Sequence, residues 1–93
     1  NLVDDLEPLS GMRQMEVLNL YRNYVSDLSP LAGMSSMREI YAGENPISDI
    51  SVLYEMPNLV VARVEGTSVN EAHREYLKGH VNRNRARLGL PPA

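Results

Sequence analysis

A repeat with a period of 22 residues is the feature that most constrains how this chain can fold. The tetrapeptide VDDL at positions 3–6 returns as VSDL at 25–28 and as ISDI at 47–50. We therefore place three repeats at residues 3–24, 25–46 and 47–68. Units of this length stack so that each one packs only against its neighbours. Seven apolar columns run through the three units: Val3, Val25 and Ile47; Leu6, Leu28 and Ile50; Leu9, Leu31 and Leu53; Met12, Met34 and Met56; Met15, Met37 and Leu59; Leu18, Ile40 and Ala62; and Leu20, Ala42 and Val64.

Two spacings within each repeat predict two kinds of local structure. Leu18 and Leu20 are two residues apart, the period of a β-strand whose alternate side chains enter the core. Apolar residues three positions apart, as in the segment 28–34, match the geometry of a 3₁₀ turn. We expect Ser29 to cap that turn and Pro30 to stand in its first positions, where a missing N–H group costs little. Each repeat is thus predicted to contain a strand, a bend, a short 3₁₀ helix and a return loop.

The strand segments carry a recognisable consensus. Residues 15–23 (MEVLNLYRN) and 37–45 (MREIYAGEN) follow the pattern L-x-x-L-x-L-x-x-N, and residues 59–67 follow it with Thr67 in place of Asn. At these positions the chain resembles the leucine-rich-repeat family, and its repeat length is similar to that of bacterial internalins and eukaryotic phosphatase-1 regulatory subunits. The resemblance covers residues 1–68 and implies an α/β leucine-rich-repeat solenoid. Such a solenoid has a short parallel β-sheet on its concave face and 3₁₀ turns on its convex face.

One polar column is expected to have a structural role. Asn23, Asn45 and Thr67 stand at the end of each consensus segment, where the chain must bend sharply. An asparagine amide at such a bend can bond to backbone groups that have lost their strand partners. We interpret these residues as a structural asparagine ladder. Because Thr67 supplies only a hydroxyl, we expect the regular array to end there.

A second polar column consists of Asp5, Asp27 and Asp49. One interpretation is that each carboxylate accepts backbone N–H bonds where its 3₁₀ turn begins. The other is a cation site made of stacked carboxylates. The glycine-rich units of calcium-binding repeats do not occur in this sequence, so we favour the backbone interpretation and expect no metal.

Residues 69–93 depart from the repeat and are predicted to form a C-terminal capping helix and tail. Asn70 is a good N-cap residue, and Gly89 with the prolines at 91–92 is expected to end the helix. A helix in this place would cover the open end of the last repeat. The residues expected to face the array are Ala72, Tyr76 or Leu77, Val81 and Leu88.

The charge also divides between these two regions. Residues 1–70 contain four Arg and ten Asp or Glu, a net charge of −6, whereas residues 71–93 contain five Lys or Arg and two Glu, a net charge of +3. The basic segment 78–87 could contact nucleic acid or an anionic membrane. Cations near a helix C-terminus are expected from the helix dipole alone, and no aromatic residues lie among these arginines. We therefore favour a solvated helix face.

The sequence offers little for catalysis or cofactor binding. It has no cysteine, and its two histidines, His73 and His80, are too far apart along a helix to share one metal ion. The phosphate-binding, dinucleotide-binding and serine-hydrolase motifs are missing, and no apolar run reaches the length of a membrane span. We therefore expect no enzyme activity, no cofactor and no membrane-spanning segment.

The outward-facing strand positions form the better candidate site. Tyr and Arg are frequent at binding hot spots, although cross-strand pairing that merely solubilises the sheet would use similar residues. We predict a non-enzymatic protein–protein interaction module; the alternatives are a structural spacer or capping unit, or nucleic-acid or membrane contact through the basic helix. The predicted partner-binding residues of the concave face are Val17, Asn19, Tyr21, Arg22, Glu39, Tyr41, Glu44, Val61, Arg63 and Glu65.

The first residues suggest a further contact surface. Asn1 falls in the asparagine column, so we expect residues 1–2 to be the remnant of a preceding repeat. The N-terminal edge is then uncapped, and its expected partner is the remainder of a longer parent chain or a second copy. The internalin-like repeats favour a secreted or cell-surface bacterial protein, although the sequence does not name the compartment or the partner.

Overall fold

The computed structural model describes residues 2–93, and its centre is a three-stranded parallel sheet. The strands are β1 (Val17–Asn19), β2 (Glu39–Tyr41) and β3 (Val61–Arg63), and they pair in the order β1-β2-β3. This arrangement confirms the predicted parallel sheet. Asn1, on which the interpretation of a preceding repeat rests, lies outside the described residues.

The register of the sheet follows the sequence period. Leu18 pairs with Ile40, and Ile40 pairs with Ala62. Because each partner lies one repeat further along the chain, equivalent side chains stand side by side across the sheet. The apolar columns of the sequence therefore become rows of contacts inside the molecule.

A 3₁₀ helix precedes each strand along the chain. The three helices are Glu7–Leu9, Ser29–Leu31 and Ser51–Glu55. The expectation that Ser29 caps its helix is wrong: the Asp27 carboxylate accepts the Ser29 N–H at 2.9 Å instead. Pro30 stands at the start of its helix as predicted, and Gly33 leaves it with a φ of 82°. A left-handed φ of this kind favours glycine, which explains the residue type at the exit.

The core is one layer of aliphatic side chains between the sheet and the 3₁₀ helices. Its best-buried part belongs to the second and third repeats. Leu31, Met37, Ile40 and Ile47 are each 0% exposed. Packing of this density makes the removal of even a few carbons costly.

The last element is α1 (Glu71–Arg87), a 17-residue helix. Asn70 caps it as predicted, since its side chain accepts the His73 N–H at 2.8 Å. The side chains that face the array differ in part from those expected. Leu77 and Val81 are buried, whereas Ala72, Tyr76 and Leu88 are exposed. The third buried residue is Asn84, which an apolar periodicity could not identify.

Candidate partner-binding face

The parallel register assembles the predicted binding residues into rows across the exposed face of the sheet, called the sheet face below. The first row contains Val17, Glu39 and Val61, and the second contains Asn19, Tyr41 and Arg63. Strands in a sheet lie about 4.8 Å apart, so neighbours within a row can contact each other or one partner side chain. All of these residues retain exposed surface.

Two of the predicted residues are held in unusual backbone conformations. Arg22 and Glu44 lie three residues beyond the ends of β1 and β2 and have φ values of 59° and 58°. The third member of this column is Gly66, with a φ of 74°. Left-handed backbone is uncommon for residues with a side chain. It directs Arg22 and Glu44 to the rim of the sheet face, where both are exposed.

Local contacts orient the aromatic side chains of the sheet face. The Tyr41 hydroxyl donates a 2.6 Å hydrogen bond to the Glu39 carboxylate, and this bond raises the pKa of Tyr41. The Arg22 guanidinium lies over the Tyr21 ring, 5.3 Å from its centre, within the range of a cation–π contact. The two rings are thus positioned before any partner arrives.

A depression of about 430 Å³ opens on the sheet face. Six of its lining residues belong to the predicted binding set, but Gly43 does not and was missed. The signal was present in the sequence, because Gly43 is a glycine in the column whose other members are Tyr21 and Glu65. The lining consists of Asn19, Tyr21, Tyr41, Gly43, Glu44, Arg63 and Glu65.

The asparagine ladder lies beside the sheet face and stabilises its bends. The buried Asn45 amide donates to the carbonyls of Leu20, Ala42 and Gly43 at 2.9–3.0 Å, and its oxygen accepts the Val25 N–H at 3.1 Å. These buried contacts are of the kind expected for a residue with a structural role.

The ladder ends at Thr67. Asn23 bonds to the Val3 N–H in the same way that Asn45 bonds to Val25. Thr67 instead donates its hydroxyl to Val64, and the Ile47 N–H turns to the Asn45 carbonyl at 2.8 Å. A hydroxyl is too short to span the distance that the amide spans, so the regular pattern stops at the third repeat.

The aspartate column bonds to the backbone. Asp5, Asp27 and Asp49 each accept the N–H of the residue two positions later at 2.9 Å. The backbone N–H and then the hydroxyl of Ser29 hold the pKa of Asp27 below its ordinary value, and Ser51 lowers the pKa of Asp49 in the same way. Among residues 2–93, no group of three His, Asp or Glu side chains could hold a metal ion.

Two arginines of the basic segment bond to the last repeat, which sequence reasoning did not predict. Arg85 donates to the Val60 carbonyl at 2.7 Å, and Arg87 donates to the carbonyl of Pro57. The expectation of a merely solvated face is therefore wrong for Arg85, which is half-buried, whereas Arg87 stays exposed. Nor does any helix in the described range 2–93 combine the length and the apolar character that a bilayer span requires.

Comparisons with known proteins agree with this geometry. No protein-family model matches the chain, and no curated protein matches it either. Among solved structures, internalin C2 from Listeria monocytogenes is 34% identical, with 76% of this chain and 31% of that chain covered and a TM-score of 0.74. Internalin F from the same organism is 26% identical, with 88% and 23% covered and a TM-score of 0.77. The chain thus spans less than a third of the length of either internalin, and it is similar to both in sequence and in their leucine-rich-repeat fold.

Proposed function

We propose that this chain is a non-enzymatic protein–protein interaction module that binds its partner through the sheet face, the concave face of the predicted solenoid. The observation that carries the proposal is the parallel register, which presents exposed tyrosine, arginine and glutamate side chains in rows above a buried core. A rigid curved sheet suits the presentation of such a surface. Similarity to the internalins supports an interaction module over an enzyme.

Tyr41 and Arg63 are the residues expected to contribute most to binding. They are direct neighbours in the second row, and both belong to the residue types that dominate binding energies. Tyr41 is half-buried and Arg63 exposed, so both can contact a partner without opening the core.

The test is the double substitution Tyr41→Ala with Arg63→Ala. A partner is captured with the wild-type chain, purified, and titrated by calorimetry against wild type and variant. We expect an affinity loss of tenfold or more, about 1.4 kcal/mol or more, since each hot-spot truncation costs over ~1 kcal/mol. Tyr24→Ala with Arg13→Ala is the matched control, because it removes the same residue types from exposed positions outside the depression. Normal binding by the Tyr41/Arg63 variant, with an unchanged unfolding midpoint, would refute the proposal.

A structural spacer or capping unit is the second candidate, and the closed C-terminal end favours it. Helix α1 covers the last repeat with Leu77 and Val81 and would present a finished surface to a following domain. Contact of residues 78–87 with nucleic acid or an anionic membrane is less favoured, because Arg85 and Arg87 already donate to carbonyls of the chain. Failure of the sheet face to bind any protein in the test above would leave the spacer as the better proposal.

A further inference from the structure

The depression on the sheet face is centred on Gly43. Tyr21 and Glu65 occupy the equivalent positions of the first and third repeats and lie on either side of Gly43. Tyr41 and Glu44, which are close to Gly43 in the chain, also line the depression. The equivalent positions of the first and third repeats carry full side chains. The depression therefore lies where the middle repeat has no side chain in this row, and residues of all three repeats line it.

Only glycine fits at this position, because the Tyr21 ring and the Glu65 carbonyl pack closely against it. A Cβ atom at position 43 would lie 2.9 Å from the Glu65 carbonyl oxygen and 3.3 Å from Cδ1 of Tyr21. Contacts this short would force the ring or the backbone to move. Beside the buried Gly43 backbone, the depression is therefore bounded by the Tyr21 ring and the Glu65 carbonyl.

The walls combine aromatic rings with carboxylates. Tyr21 and Tyr41 supply the rings, and Glu44 and Glu65 supply two exposed negative charges. The face of an aromatic ring attracts a cation, and a guanidinium does so while stacking flat. The chain already uses this contact elsewhere, since the Arg83 guanidinium lies 5.8 Å from the centre of the exposed Tyr76 ring.

Arg63 is the one cation in the lining, so the depression carries a formal charge of −1. The surrounding residues 1–70 carry a net charge of −6. A field of this sign attracts basic groups and repels acidic ones. The negative charge and the aromatic rings therefore both favour binding of a positively charged side chain.

Resting on the function proposed above, we propose that the depression over Gly43 binds an arginine side chain presented by the partner protein. The guanidinium would stack on the Tyr41 ring, since Arg22 already lies over Tyr21, and Glu44 or Glu65 would accept its N–H groups. The proposal assigns Gly43 a positioning role, because its missing side chain lets the Tyr21 ring pack closely at the edge of the depression.

The experiment uses a capped Gly-Arg-Gly peptide as the probe, followed by ¹⁵N–¹H NMR titration of the 93-residue chain. The capped Gly-citrulline-Gly peptide has nearly the same shape without the charge, and capped Gly-Glu-Gly reverses it. We expect concentration-dependent shifts centred on the amides of Gly43, Tyr41 and Glu65 with the arginine peptide, weaker shifts with citrulline and none with glutamate. Added salt should weaken the arginine peptide.

Charge variants sharpen the assignment. Glu65→Gln and Glu44→Gln should each lower the affinity for the arginine peptide about 2- to 5-fold, the range expected for exposed ion pairs. Glu55→Gln, an exposed glutamate outside the depression, should leave it unchanged. Arg63→Ala should raise the affinity for the arginine peptide, because that substitution removes the only cation in the lining.

Equal shifts from the arginine and citrulline peptides, shifts from the glutamate peptide at the same amides, or no shifts at these amides would each overturn the proposal. These failures are distinct from failure of the proposed function. A chain that binds its protein partner through Tyr41 and Arg63 but ignores the arginine peptide retains the function and loses this inference. A chain that binds the peptide but whose Tyr41/Arg63 variant keeps full partner affinity shows the reverse.

Discussion

The two ends of the repeat array contain residues of the same sequence columns, but these residues are buried to different extents. At the N-terminal end Val3 is 43% exposed and Met12 is 50% exposed. In the next repeat their equivalents Val25 and Met34 are 0% and 1% exposed. At the other end Met56 is still only 2% exposed, and helix α1 lies against it, since His80 and Asn84 bond to its carbonyl. An apolar residue type in a column thus predicts that the side chain can be buried. Whether it is buried depends on a neighbouring repeat or helix that covers it.

The C-terminal end, which helix α1 covers, also shows how the parallel sheet ends. Between repeats, the Glu16 carbonyl accepts two N–H groups from β2 and its preceding residue, and the Arg38 carbonyl accepts two from the next unit. The equivalent carbonyl of the last repeat belongs to Val60, and it accepts the Arg85 guanidinium. A side chain of the helix therefore takes the place of the strand N–H groups that a fourth repeat would supply.

The largest expected effect comes from one substitution made at three equivalent methionines. Met34→Ala and Met56→Ala should each lower the free energy of unfolding by about 2–5 kcal/mol, because both remove a buried side chain and leave a cavity. Met12→Ala should change it by less than about 0.5 kcal/mol, since that side chain is half-exposed. Urea unfolding of the three variants measures the series. A large, concentration-dependent cost for Met12→Ala would contradict the contrast and show that a second copy covers the N-terminal end in solution.

A smaller effect is expected where the helix closes the C-terminal end. Asn84 is 6% exposed and donates to the carbonyls of Met56 and Leu59 at 3.1 and 3.0 Å. Asn84→Ala leaves these carbonyls without that donor, so we expect a loss of about 1–3 kcal/mol. Asn82→Ala, two positions away and less buried, is the control and should cost less. Amide hydrogen exchange of residues 71–87 is the measurement, and equal protection of the helix in both variants would argue against a closing role for Asn84.

The smallest effect concerns the aspartate column. The depressed pKa values of Asp27 and Asp49 mean that their ionised forms stabilise the fold. This contribution is fully present above the ordinary aspartate pKa of about 3.9 and is lost as the pH falls through the lower folded values. Asp27→Asn with Asp49→Asn keeps an oxygen acceptor and removes the charge, so the unfolding temperature should depend less on pH below about 4.

The control for this pH experiment is Asp4→Asn with Glu55→Gln, which removes the same formal charge from exposed positions outside the column. Thermal unfolding followed by circular dichroism between pH 2 and 6 compares the two variants with the wild type. If both double variants show the same pH profile, the stabilising effect is one of total charge and does not belong to the bonds with Ser29 and Ser51.

Much of the local structure was predictable because its partners are close in sequence or one period apart. The strands, the bonds from the aspartates to the 3₁₀ helices and the cap at Asn70 all follow from patterns within a few residues. The rows of the sheet face followed from the 22-residue step, which the register reproduces. The assignment of these rows to a binding partner stays a prediction, since no partner contact in the structure bears on it.

What the sequence alone determined is the repeating unit: its period, its inward columns and the alternation that turns the remaining side chains outward. Only the tertiary structure decided how far the residues at each end are buried, which helix residues dock and where the sheet face opens into a depression. The contacts between Asn84 and Met56, between Arg85 and Val60, and between Gly43, Tyr21 and Glu65 join parts of the chain that pack together only after folding. The two helix contacts also break the repeat, so neither hydrophobic periodicity nor the 22-residue step could reveal them.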